Sequence, residues 1–119
     1  MTKVNINQKL SLFTDYFSPK IVGELNGQFV KLVKLKGEFV WHKHDKEDEL
    51  FLVLKGTLTM AFRDRTEVIH ENEFIIVPRG IEHKPVALEE VAILLFEPAS
   101  TLNTGDAMSD LTKQDLDRL

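Results

Sequence analysis

From Lys20 to Glu97 the chain is divided repeatedly into short apolar runs, each closed by residues that turn or end a strand. "KIVGEL" and "QFVKLVKL" flank Asn26–Gly27. Both turn residues tolerate positive φ, which predicts a tight hairpin. Gly37 ends the second run, and the charged turn 45–49 leads into "LFLVL" (50–54), closed by Gly56. "TLTMAF" (57–62), "TEVIH" (66–70), "EFIIV" (73–77), "HKPVA" (83–87) and "VAILLFE" (91–97) follow, separated by charged turns and by the breaker Pro78–Arg79–Gly80. Eight or more short strands at such spacing predict an all-β sandwich or small barrel. A short helix is expected within 5–16, and one or two amphipathic helical turns within 112–119.

Composition narrows the class. A chain of 119 residues suits one core, and 43% hydrophobic with 29% charged residues is ordinary for a soluble globular domain. The formal net charge of −4 argues against a general affinity for nucleic acid or anionic membrane. No stretch approaches the ~18 apolar residues of a membrane span, and "MTKVNINQKLSLF" lacks the apolar segment of a signal peptide. A cytoplasmic location is therefore expected. With no cysteine, disulfides and thiolate metal sites are excluded. Any metal must be held by nitrogen and oxygen.

The chain has four histidines, and two fall one residue apart in "FVWHKHDKEDELFLVLKG" (39–56). In a strand, residues i and i+2 share a face, so His42 and His44 point one way and Lys43 the other. Glu49 opens the next strand, where an antiparallel pairing would set it opposite the histidines. His83 opens another strand, three residues after Gly80. Three imidazoles and a carboxylate suit a divalent first-row metal, with Fe, Mn, Ni, Cu, Co and Zn all chemically acceptable. Four protein ligands on a six-coordinate ion leave places for water or substrate, whereas a closed tetrahedral zinc site would be less reactive. Taken alone, the paired histidines fit a hydrogen-bonded core and Glu49 fits a solvated acidic turn. Their joint spacing with His83 favours the metal. His70 has no partner at ligand spacing and reads as a surface residue.

Two segments carry a family resemblance. Gly37 to Gly56, "G-EFVW-H-K-H-DKED-E-LFLVLK-G", resembles the first cupin motif, and Asn72 to His83, "N-EFIIV-P-R-G-IE-H", is similar to the second. The resemblance covers about residues 28–97 and implies a double-stranded β-helix, the jelly-roll barrel. Residues 1–27 would form an N-terminal extension and hairpin, and residues 98–119 a C-terminal loop and short helix. By that resemblance His42, His44, Glu49 and His83 match the metal ligands one by one. The chain departs from the pattern in three places. Four residues rather than five separate Gly37 from His42, Asn72 replaces a glycine, and Ala87 stands where asparagine is frequent. None of these is a ligand position.

Alternation places Phe51 and Val53 on the face of Glu49 as pocket lining, with Met60 and Phe62 as candidate walls on the next strand. Trp41 and Phe39 are expected on the face away from the metal. Leu50, Leu52 and Leu54 form the other face of a doubly apolar strand and call for a second buried layer or a partner chain. Arg63, Arg65, Arg79 and Lys84 are the cations nearest the motifs, with solvent as the default for those on turns. The polar loop 100–106 either covers a barrel mouth or trails away. The small single-domain cupins that this chain resembles are often labelled mannose-6-phosphate-isomerase-like, but fold does not fix function. The resemblance implies a divalent-metal enzyme of small-molecule metabolism, either dioxygenase-like or isomerase-like, or alternatively a non-catalytic ligand-binding module. It also implies a homodimer. An apolar lining suits a hydrophobic or aromatic substrate better than a sugar.

Overall fold

A computed structural model describes all 119 residues. The elements in chain order are α1 (Ile6–Leu10), β1 (Lys20–Leu25), β2 (Gln28–Glu38), β3 (Glu49–Lys55), β4 (Leu58–Phe62), β5 (Thr66–Ile69), β6 (Phe74–Val77) and β7 (His83–Pro98). All strand pairings are antiparallel. One layer runs β1-β2-β7-β3-β6, and β4 joins the early part of β7 and carries β5. This is the all-β, double-stranded β-helix architecture expected. The predicted hairpin is present, with φ of 50° at Asn26 and 75° at Gly27 joining β1 to β2.

Seven strands form where eight or more were expected, because the two runs 83–87 and 91–97 are one strand. Nothing in "ALEEVA" turns the chain; it bulges instead. Leu35 pairs with Val91 and Gly37 with Ala87, so β7 spends two extra residues against β2 and exposes Leu88, Glu89 and Glu90. The bulge lets one strand serve both sheets, with β4 on its first part, β3 on its second and β2 alongside both. Gly56 makes the bulge possible. Its φ is +88°, and a Cβ there would lie 2.8 Å from the Glu90 carbonyl oxygen.

The barrel interior is filled by alternate residues of the strands, among them Val33, Phe51, Val53, Met60, Val91, Ile93 and Leu95. A smaller cluster of Leu10, Phe13, Leu32 and Ala92 lies outside the sheet, with Leu54, Leu94 and Leu119 against it. The second layer under Leu54 is thus supplied by α1 and the C-terminal segment. Residues 112–119 form no helix. The amide of Ile21 donates to the Asp117 carbonyl and the amide of Leu119 to the Ile21 carbonyl, both at 2.9 Å. The reason is physical: eight residues give a marginal helix, whereas the open edge of β1 offers unpaired backbone groups. No helix is long and apolar enough to cross a membrane.

Candidate metal centre

His42 and His44 lie in the irregular segment after β2, held there by backbone bonds. The amide of His42 donates to the His83 carbonyl at 3.0 Å, and the amide of His83 returns the bond at 2.9 Å. Gly80 N–H donates to the His44 carbonyl at 2.8 Å, and Arg79 N–H to Asp48 Oδ1 at 2.8 Å. These bonds tie the turn before Glu49 to the turn before His83. Both histidines are buried while Lys43 is half-exposed, as alternation required. Glu49 does not pair opposite them. It pairs with Val77 on β6 and reaches the imidazoles across the barrel interior, so the expected hairpin neighbourhood is replaced by a cross-barrel one.

The geometry brings the four together. One ligand atom from each of His42, His44, Glu49 and His83 lies within 4.8 Å of the others, and all four residues are buried. Glu49 Oε1 is 3.0 Å from His44 Nε2 and 3.3 Å from His83 Nε2. Nδ1 of His42 donates to the Val40 carbonyl at 2.8 Å, and Nδ1 of His83 to the Ile81 carbonyl at 2.9 Å. A carbonyl only accepts, so in the neutral rings Nδ1 carries the proton and Nε2 presents a lone pair. His83 Nε2, His44 Nε2 and Glu49 Oε1 have no hydrogen-bond partner, although buried polar atoms normally have one. Converging acceptors need a cation between them. Ligands about 2.1 Å from one ion at right angles stand about 3 Å apart, close to the spacing seen. The residues fit a divalent ion, and the backbone acceptors behind His42 and His83 are the outer partners such ligands use.

Electrostatics distinguish the rings. Burial, followed by the charge of His83, pushes the His42 imidazole down to about 4, against weaker raising effects from Val40 and Glu49. Burial also acts to lower His44, but the Glu49 carboxylate 3.0 Å away outweighs it and leaves His44 raised. Glu49 is held well below the usual carboxylate range. Its burial would raise it, and the neighbouring Glu97, His44 and His83 overcome that. The site thus sets a His42 ring held neutral beside an anionic Glu49.

A narrow cavity of about 40 Å³ opens beside His42 and Glu49. Phe51 lines it as expected, with Val33, Leu35 and Leu95. Val53 and Met60 lie instead in the closed core at 0% exposure, and Phe62 borders a separate surface depression. Phe39 is a correction. It lines the cavity, meets the edge of His42 with ring centres 5.4 Å apart, and stacks on Phe17 at 5.4 Å. Regular pairing has ended at Glu38, so alternation from Trp41 does not apply there. Trp41 does face away, under the Arg63 guanidinium at 3.8 Å. Arg63, Arg79 and Lys84 are paired with Glu82, Asp48 and Glu38, and neither they nor Arg65 line the cavity. His70 is exposed.

The loop 100–106 folds back onto the site. Lys43 N–H donates to Asp106 Oδ1 at 2.9 Å, and Asp106 N–H to the Lys43 carbonyl at 3.1 Å. Asn103 lines the cavity, but its amide is engaged within the tail, donating to the Leu111 carbonyl and accepting from Lys113 N–H. Phe17, Phe39 and Asn103 had no motif to announce them.

Comparison with known proteins identifies the family and the fold. The family model described as Cupin domain matches residues 29–97. An uncharacterized protein of Bacillus subtilis (strain 168), YdbB, is 39% identical over 64 residues, 53% of this chain and 57% of that protein. The chain thus spans a little over half the length of that relative. Among solved structures, a cupin-2 domain containing protein from Shewanella frigidimarina is 47% identical with a TM-score of 0.79, covering 80% of this chain and 93% of that one. Protein NMB1881 from Neisseria meningitidis is 28% identical with a TM-score of 0.76, covering 82% and 100%. With a family match over more than half its length, on the barrel that carries the His/Glu cluster, this chain belongs to the cupin family.

Proposed function

We propose that the chain holds one divalent transition-metal ion through His42, His44, Glu49 and His83 and uses it on a small, largely apolar substrate. One observation carries this reading: Nε2 of His44, Nε2 of His83 and Oε1 of Glu49 converge, buried and without a hydrogen-bond partner, with His83 fixed in the metal-binding tautomer by Ile81. The bound ion would supply Lewis-acid or oxygen-activating chemistry. The protein's part is to orient and to exclude water. Phe17, Phe39 and Phe51 wall the approach, Pro85 and Leu95 close it, and no lysine or arginine enters it. Such a lining favours an aromatic or aliphatic carbonyl compound over a sugar phosphate, which would need a fixed cation. Dioxygenase-like chemistry suits it better than isomerisation.

A non-catalytic ligand-binding role has one observation in its favour. The titratable residues lining the cavity, His42 and Glu49, are both candidate ligands, so no separate acid or base stands ready. Elemental analysis of untagged protein decides the first step. About one equivalent of Fe, Mn, Ni or Cu, lost in both His42→Ala and His83→Ala, is expected; metal-free wild type that gains no stability from added ions would overturn the reading. A shift in the spectrum of the loaded protein on adding small aromatic carbonyl compounds, with or without turnover, then separates catalysis from binding.

We also propose a homodimer through the outer face of the β3–β6 pair. Phe74 and Ile76 are 60% and 54% exposed, opposite half-buried Leu52 and Leu50. A contiguous apolar strip of this kind marks an interaction surface.

A further inference from the structure

Behind Glu49 the barrel buries two more charges that metal binding does not use. Lys31 on β2 and Glu97 on β7 are each 1% exposed, and Lys31 Nζ lies 2.8 Å from Glu97 Oε1. Both face inward. Lys31 alternates with Val33 and Leu35, and Glu97 with Leu95 and Ile93. Leu50 pairs with Phe96, so the next residues along, Glu49 and Glu97, stand side by side on the interior face. Glu97 Oε2 is buried with no hydrogen-bond partner, on the interior face where the register sets it beside the Glu49 carboxyl. The result is a row running from Lys31 through Glu97 and Glu49 to His44 and His83.

An ion pair so deeply buried is a poor way to stabilise a barrel. Desolvating both charges offsets most of their attraction, and apolar residues of similar volume commonly do as well or better. Leu95 is the cross-strand partner of Lys31 and the Phe29 ring lies 5.7 Å from its Nζ, so an apolar replacement would have found apolar partners. What the pair does that leucine would not is hold a fixed polar group beside Glu49, whose Oε1 faces the imidazoles. Oε1 of Glu97 is anchored by Lys31, and that fixes the carboxyl that the register sets next to Glu49.

We propose that Lys31 and Glu97 are positioning residues for Glu49, fixing the oxygen it presents to the three histidines and thereby setting the affinity and coordination geometry of the site. The proposal rests on the metal reading above. Outer-sphere partners of ligating groups typically contribute about 10–100-fold to metal affinity, and this pair is the partner of the one anionic ligand.

The test uses the full chain, stripped by chelator and titrated with Co²⁺ by calorimetry and visible absorption, beside Glu97→Ala, Glu97→Gln and Lys31→Met. Thermal unfolding of each metal-free form is recorded in parallel. Glu97→Ala is expected to weaken Co²⁺ binding about 10–100-fold and to alter the d–d bands. Glu97→Gln, which keeps the shape of the side chain and an acceptor for Lys31, should retain most of the affinity and the wild-type spectrum. Lys31→Met should fall between them, and it carries the test if Glu97→Ala does not fold. Wild-type affinity and spectrum in Glu97→Ala or Lys31→Met, whatever happens to metal-free stability, would reduce the pair to a structural role and overturn the proposal. So would equal losses in Glu97→Gln and Glu97→Ala. If wild type itself takes up no Co²⁺, the metal reading fails and this proposal with it.

Discussion

The two ends of this barrel are built from the same strands in opposite materials. Along β3 the inward residues read Glu49, Phe51, Val53, and along β7 from the other direction Glu97, Leu95, Ile93. Within two inward positions each strand passes from charge to a residue at 0% exposure. At the closed end Val53, Leu58, Met60, Val91 and Ile93 pack with no polar atom among their side chains. At the other end three histidines, two glutamates and a lysine are buried with several lone pairs unmatched. One end supplies stability, and the other spends some of it to hold groups in an arrangement that water would dissolve.

That contrast can be broken at either end. The largest effect is expected at the closed one: Ile93→Ala should cost about 2–5 kcal/mol in denaturant unfolding, with metal uptake per folded molecule unchanged. A smaller cost accompanied by lost uptake would mean that the ends are not separable. At the site end the sign should reverse. A metal at 100 times its dissociation constant should add about 2.7 kcal/mol to wild type and nothing to His83→Ala, read as the ion-dependent shift in melting temperature. The metal-free variant should itself melt below metal-free wild type, since it loses a buried ring and its bond to the Ile81 carbonyl, so the ion-dependent shift is the quantity compared.

Acid should also act on the site end first. His42 is depressed to about 4 in the fold, against an ordinary value near 6.5, so the unfolded chain binds that proton more readily. Its contribution is present above about 6.5 and is lost as pH falls towards 4. His44, raised by Glu49, works the other way: its contribution is present below 6.5 and is lost as pH rises through its folded value. Melting of the metal-free protein should therefore drop between pH 6.5 and 4.5, and drop less in His42→Ala; identical slopes would remove His42 as the cause. The smallest effect on stability belongs to the outer face. Phe74→Ser with Ile76→Ser should leave unfolding within about 0.5 kcal/mol per site while sedimentation moves from dimer to monomer. A monomeric wild type would end the dimer proposal.

Much of this was legible from punctuation and spacing. Asn26–Gly27 announces its hairpin through backbone conformations that few residues accept, and the two motifs bring His42, His44, Glu49 and His83 within one region. What stayed hidden depended on pairing that the sequence does not print. In "QFVKLVKLKGE" both parities carry leucine or valine and both carry lysine. Only the register against β7 shows that Lys31 faces inward with Glu97 nearby, while Lys34 turns out to the carbonyls of Leu10 and Phe13. Phe39 was misplaced because the alternation rule was carried past the last paired residue. The C-terminal segment was misread because amphipathic spacing says nothing about an open strand edge waiting elsewhere.

Gly105 offers a use for that segment. A Cβ on it would collide with the Lys43 carbonyl and come within 3.0 Å of His42 Cδ2, so the tail lies against the histidine segment with no side chain between. A change at the imidazole should therefore be felt by a backbone whose neighbour, Asp106, is exposed to solvent. The amides of Gly105 and Asp106 form a built-in antenna. Their hydrogen exchange and chemical shifts should register occupation of the site directly, even where no substrate is known and no turnover can be followed.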